Sequence, residues 1–100
     1  SREDGIIMAG ASNGKDDYLL WQRSDSEAGN IYFEYNDQLN SGYDILEALT
    51  LDNDGCHLVL ENGKLVHFVW HPTGHENLDE FVSQLKEIYS EAPSIINDLR

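Results

Sequence analysis

Apolar and polar positions alternate in short blocks along the chain, and turn-forming residues separate the blocks. Gly5 to Ala11 is an apolar stretch closed by Ser12-Asn13-Gly14. Tyr18-Leu19-Leu20-Trp21-Gln22 reads as a strand, and Ser24 to Asn30 is polar, with Gly29-Asn30 as a loop. Ile31-Tyr32-Phe33-Glu34-Tyr35 is the clearest strand, because β-branched and aromatic side chains suit a pleated, half-buried surface. Asn36 to Gly42 is polar and reads as a loop, and Tyr43 to Leu51 reads as a longer strand. Asp52-Asn53-Asp54-Gly55 is a strong turn signal.

Cys56 to Leu60 and Leu65 to Trp70 flank Glu61-Asn62-Gly63-Lys64. Asn-Gly between two apolar runs predicts a hairpin with a two-residue type I′ turn, since both residues tolerate positive φ. That register sets Glu61 opposite Lys64, Leu60 opposite Leu65, Leu58 opposite His67 and Cys56 opposite Val69. The other face then carries His57, Val59, Val66, Phe68 and Trp70. Both faces are apolar near the middle, which places the hairpin centrally in its sheet. A slip of one residue exchanges the two sets.

A helix follows. Asn77 is a capping residue with Glu80 three positions later, the spacing of a capping box. Leu78, Phe81, Val82, Leu85, Ile88 and Tyr89 form one apolar stripe at helical spacing. Pro93 opens a second, shorter helical turn through Leu99, with Ile95, Ile96 and Leu99 as its apolar side. Consecutive strands with short connections predict an antiparallel meander, and the C-terminal helix is the natural cover for one apolar face. The expected class is α+β, in two layers, with residues 1–100 forming a single domain.

Charge narrows the functions. Nineteen acidic residues against six basic ones give a formal charge of −13. Residues 1–50 hold ten acids and residues 51–100 hold nine, so the charge is not an acidic tail. An acidic chain lacks the clustered Lys and Arg that bind nucleic-acid phosphates or an anionic membrane surface. No apolar run approaches bilayer-spanning length. The lone Cys56 excludes an internal disulfide framework and Cys-rich zinc patterns, and a reducing compartment, the cytoplasm, is the simplest home. Ser1 in place of Met reads as a truncated start, and a targeting peptide removed earlier leaves no trace.

Candidate chemistry is sparse. Thr50, Asp52, Asp54, Gly55 and Glu61 occupy places of a calcium loop, but the first place lacks a carboxylate and the flanks read as strands. An acidic hairpin turn is the better reading. His67, His71 and His75 recur every fourth residue, yet Pro72 and Gly74 forbid the helix that would align them. Surface histidines at a strand–helix junction are preferred there. Cys56 and His57 are adjacent and face opposite ways on a strand, so Cys56 reads as a buried, inert thiol. Glu47 shares the parity of Ile45, Leu49 and Leu51, which places it at a sheet margin, at a bulge or in a pocket, with the first two preferred. No catalytic residue, metal ligand or cofactor site is assigned.

The most distinctive stretch runs from Ile31 to Tyr43. It joins an aromatic strand to Glu34, Asp37 and Gln38, a makeup common in protein-interface anchors. The run Ile31 to Ile45, followed by Leu49-Thr50-Leu51 and His57-Leu58-Val59-Leu60, resembles the bacterial immunity proteins of polymorphic toxin systems, specifically the family called immunity protein ten. Its pattern is an aromatic strand with Glu, then Asp-Gln, then a Gly-containing turn and another strand, matched here at Glu34, Asp37, Gln38 and Gly42. Leu78, Phe81, Leu85 and Ile88 of the final helix fit as well. By element order the resemblance extends from Tyr18 to Tyr89.

The resemblance implies a non-enzymatic inhibitor that binds the C-terminal domain of a cognate toxin in the cytoplasm of its own cell. Charge agrees, since an acidic protein steers fast onto the basic cleft of a toxin such as a nuclease. The partner-binding candidates are Tyr32, Glu34, Asp37, Gln38, Asp44 and Glu47. Replacing Glu34 and Asp37 together by Lys is expected to slow association with a basic toxin. The competing readings are a small metal-dependent hydrolase using His67, His71 and His75, and a generic acidic interaction module.

Overall fold

The computed structural model describes residues 2–3, 5–12, 17–26, 29–70 and 78–100, with the backbone alone at 2–3 and 37–39. The strands are β1 (Arg2–Glu3), β2 (Ile6–Ser12), β3 (Tyr18–Ser24), β4 (Tyr32–Tyr35), β5 (Asp37–Tyr43), β6 (Leu46–Leu51), β7 (Gly55–Leu60) and β8 (Leu65–Val69). Helix α1 (Leu78–Ile88), a 3-10 turn (Pro93–Ile95) and β9 (Ile96–Asp98) complete the chain. The class is α+β, with antiparallel-rich sheets and the C-terminal helix packed on β2 and β3.

The strands divide into two sheets rather than one meander. The first has the order β1-β2-β3-β4-β5 and the second the order β8-β7-β6-β9. The division falls inside the segment expected as one strand from Tyr43 to Leu51. Asp44 has φ 56°, which an extended strand cannot contain, and Asp is among the few residues that adopt it readily. Its carboxylate accepts from the backbone N–H of Asn30 at 3.2 Å and of Ile31 at 2.9 Å. A Cβ on Gly42 would lie 2.8 Å from Cγ2 of Ile45, so a larger residue before the corner would displace the Ile45 side chain. The polar run after Asn36 is strand β5 rather than a loop. It lies at the edge of its sheet, where polar residues are tolerated.

The β7–β8 hairpin corrects the expected register by one residue. Leu58 pairs with Val66, His57 with His67 and Cys56 with Phe68. Only Gly63 of the Asn-Gly pair has positive φ, at 78°. The loop therefore holds three residues, Glu61, Asn62 and Gly63, closed by Leu60 N–H to Lys64 C=O at 2.9 Å. This is the turn in which the last loop residue is left-handed. The shift moves Phe68 and Trp70 onto the buried face with Cys56, Leu58 and Leu60. It leaves Leu65 and Val69 exposed on β8, which is an edge strand rather than a central one.

Beyond α1, Pro93 opens a single 3-10 turn and not a helical run to Leu99. Ile96 to Asp98 instead pair in parallel with Leu49 to Leu51. Tertiary pairing with an open side of β6 overrides local helix preference here.

The core is one contiguous buried cluster. Ala9, Trp21 and Phe33 stand in register across β2, β3 and β4. The small Ala9 side chain leaves room for the fully buried Trp21, whose ring lies 4.8 Å from Phe33 and 5.8 Å from Phe81. Helix α1 buries Phe81, Val82, Leu85 and Ile88, the stripe its spacing predicts. Trp70 meets Phe81 edge-on at 5.8 Å and joins the second sheet to the helix. The capping role of Asn77 lies outside the described residues.

Candidate functional site

Strand pleating sends alternate side chains to opposite faces. On β3 and β4, Leu19, Trp21 and Phe33 enter the core, which leaves Tyr18, Leu20, Gln22, Tyr32 and Glu34 on the outer face of the first sheet. Glu34 stands opposite Leu20 on one side and Ser41 on the other. It is nevertheless only 7% exposed. A carboxylate this buried needs partners to offset its lost hydration. It has them: the hydroxyls of Tyr18 and Tyr32 donate to its two oxygens, one to each.

Neighbouring elements fix this arrangement. Asn36, at φ 60°, donates its backbone N–H to Tyr18 C=O at 3.1 Å. Its side-chain oxygen accepts the Tyr18 N–H at 2.8 Å, and its amide nitrogen donates to Asp17 at 2.9 Å. The turn between β4 and β5 thus anchors the start of β3 and brings Tyr18 to Glu34. Tyr43 pairs with Tyr32 across β4 and β5, and their rings meet edge-on at 5.5 Å. Tyr43 is 65% exposed.

The electrostatics follow from the hydrogen bonds. The Tyr32 phenol is held above its ordinary pKa because its proton is bonded to Glu34, while a hydrogen bond with Ser41 acts in the opposite sense. Beside Tyr32 and Tyr43 lies a surface hollow of about 240 Å³ that also touches Ile6, Gln22 and Asn30. The whole is an aromatic, partly polar sheet face with one negative charge set beneath its phenols. It is suited to holding another molecule's surface.

The sequence candidates separate. Tyr32 and Glu34 belong to this face. Asp37 and Gln38 lie at the start of β5, and their side chains are outside the described residues. Asp44 is exposed, but its carboxylate is engaged by the two backbone N–H groups at the corner. Glu47 is the extra residue where the β6–β7 register shifts, between Leu46 and Ala48, and it points into solvent on the second sheet. Tyr18, Ser41 and Tyr43 were missed as site residues. Tyr18 lies 16 residues from Glu34, and only the pairing of β3 with β4 brings the two together.

The histidines form a different group. His67 stacks on His57 across β7 and β8, with ring centroids 4.2 Å apart and planes 10° from parallel. His57 Nε2 lies 3.7 Å from Asp52 Oδ2. His71 and His75 lie outside the described residues. Among the described residues, no group of three or more His, Cys, Asp or Glu side chains is placed to hold a metal ion. Asp52 accepts the N–H groups of Asp54 and Gly55, each at 2.8 Å. These bonds hold its carboxyl below the usual range and form the turn between β6 and β7. Cys56 is fully buried, and burial pushes its thiol up to about 12, the state of an inert sulfur.

No protein-family model, no curated protein and no solved structure matches this chain. Among the described residues, no helix is long and apolar enough to cross a membrane.

Proposed function

We propose that this chain is an immunity-type inhibitor, which binds a cognate toxin domain in the cytoplasm of the producing cell and blocks it without catalysis. The observation that carries this reading is the outer face of the first sheet, where Tyr18 and Tyr32 hold the buried carboxylate of Glu34 and the exposed Tyr43 meets the Tyr32 ring edge-on. Tyrosine is favoured at binding hot spots because it offers a large, stiff contact area with a polar tip. The formal charge of −13 supports a basic partner, since a strong field of one sign speeds encounter with its opposite and repels other acidic proteins. The likeness of the Ile31 to Ile45 run to immunity proteins supplies the partner class.

Co-expression with the product of the gene directly upstream tests the proposal. If that product's C-terminal domain stops growth alone, this chain should restore growth and co-purify with it. A chain carrying Tyr32→Ala and Tyr43→Ala should lose both effects while remaining folded. Toxicity without rescue or complex formation refutes the proposal.

A further inference from the structure

Strands β1, β5, β8 and β9 form the outer edges of the two sheets. An open edge invites a further strand, and proteins guard it with charge, proline or a bulge. Three of these edges are guarded. β1 is Arg2–Glu3, β5 carries Asp37 and shifts register against β4, and β9 carries Asp98. β8, Leu65-Val66-His67-Phe68-Val69, has no Asp, Glu, Lys, Arg or Pro, and its register against β7 is unbroken. Leu65 is 74% exposed and Val69 52%. Among the described residues, nothing pairs with its outer side.

The ladder decides which backbone groups reach that side. Leu60 donates its N–H to Lys64 C=O, and Trp70 donates to Asp54 C=O. Bonded positions alternate along an antiparallel pair, so Val66 and Phe68 bond to β7. Leu65, His67 and Val69 turn their N–H and C=O groups outward. Their side chains share the outer face of the second sheet with His57, Val59 and Thr50, which are in register on β7 and β6. None of these six carries a carboxylate. Asp52 borders the face, 3.7 Å from His57.

We propose that β8 pairs with β8 of a second copy of this chain, antiparallel about a two-fold axis at His67. The outward-facing residues are symmetric about His67. The axis therefore sets His67 opposite its counterpart and Leu65 opposite Val69 of the second copy, each pair exchanging two hydrogen bonds. The exposed Leu65 and Val69 then cover one another. Charge selects the occupant. A second copy brings its own formal charge of −13, so it is admitted only where carboxylates do not meet. A basic partner, by contrast, gains nothing from an uncharged strand. The pairing uses none of the tyrosine face and is independent of the toxin reading.

Sedimentation velocity of the full chain, from about 5 to 500 μM, tests it alongside backbone amide NMR over the same range. A strand of five residues covers less than a standard interface, so the expected dissociation constant is about 100 μM. Amide shifts should follow the dimer at Leu65, His67 and Val69. Raising NaCl from about 0.05 to 0.5 M should tighten the dimer, because salt screens the repulsion between two acidic copies. The double variant Leu65→Lys, Val69→Lys alters exposed side chains and should weaken pairing at least about tenfold. A chain that stays monomeric to about 500 μM overturns the proposal. So does a dimer that salt dissociates, one that the double variant leaves intact, or one whose amide shifts lie in β3 to β5. If the double variant fails to fold, the salt response and amide shifts of the native chain still decide. A monomer whose β8 amides become protected only in the toxin complex gives the edge to a partner's strand and overturns self-pairing.

Discussion

Replacing Tyr18 by Phe removes one oxygen atom and keeps the ring. In the native chain that hydroxyl supplies one of the two phenol hydrogen bonds to a carboxylate that is 7% exposed. A hydrogen bond to a charged group contributes about 1.5–3 kcal/mol when its partner cannot turn to water. Tyr18 itself is half-buried, and water can partly replace its hydroxyl. The expected loss is therefore in the lower half of that range, about 2 kcal/mol. Tyr32→Phe, which removes the bond to the other carboxylate oxygen, should also lower the urea midpoint. The double variant should cost more than the sum, because the second removal takes the last phenol from a charge the first left half-solvated. Urea unfolding of the four proteins, with constant m-values, measures each loss. A loss under about 0.5 kcal/mol for Tyr18→Phe, or additivity of the two substitutions within about 0.5 kcal/mol, would show that the carboxylate is solvated and that the cluster is not one unit.

Tyr89→Phe removes the acceptor of Trp21 Nε1–H, which is bonded at 3.1 Å in the core; the stranded donor should cost about 1–3 kcal/mol in urea unfolding, and an unchanged midpoint would refute the bond. Gly55→Ala should cost at least about 3 kcal/mol, because the new Cβ would fall 2.0 Å from the Phe68 carbonyl oxygen; near-wild-type thermal stability would contradict the close pairing of β7 and β8. Alkaline pH should destabilise the fold. Burial raises both the Cys56 thiol, to about 12, and the Tyr89 phenol, so their contribution is complete below the ordinary thiol and phenol values and is lost as pH rises through the raised ones. The urea midpoint should fall between about pH 9 and 12, and Cys56→Ala should make that fall shallower; an unchanged slope would remove Cys56 from the account.

Much of the fold was legible because periodicity and burial coincide. Phe81, Val82, Leu85 and Ile88 recur at helical spacing and are all buried. Tyr18-Leu19-Leu20-Trp21-Gln22 reads as a strand and lies within β3. The failures occurred where a single backbone torsion decides. Asn62-Gly63 is compatible with either a two- or a three-residue loop, and which of the two residues takes positive φ settles the hairpin register. Asp44 reads as one more strand residue until its left-handed backbone turns the chain into a second sheet. β9 was invisible because its partner, β6, lies 47 residues earlier at Leu49↔Ile96.

The site was half legible for a related reason. Tyr32 and Glu34 share a strand face, so their parity joins them in the sequence. Tyr18, Ser41 and Tyr43 come from two other strands, and no local pattern announces them. Asp44 has a structural role that the sequence does not announce. An exposed acidic residue beside an aromatic strand looks like a contact for a partner, while its carboxylate is engaged in closing a corner.

Hydrogen exchange of the chain alone and in complex with its toxin domain tests the central claim most directly, since it reports which face the partner covers. The account predicts added protection in β3, β4 and β5 around Tyr18, Glu34 and Tyr43, with the β7–β8 hairpin exchanging as before. Protection confined to β7 and β8 around His57 and His67, with β3 to β5 unchanged, would contradict it.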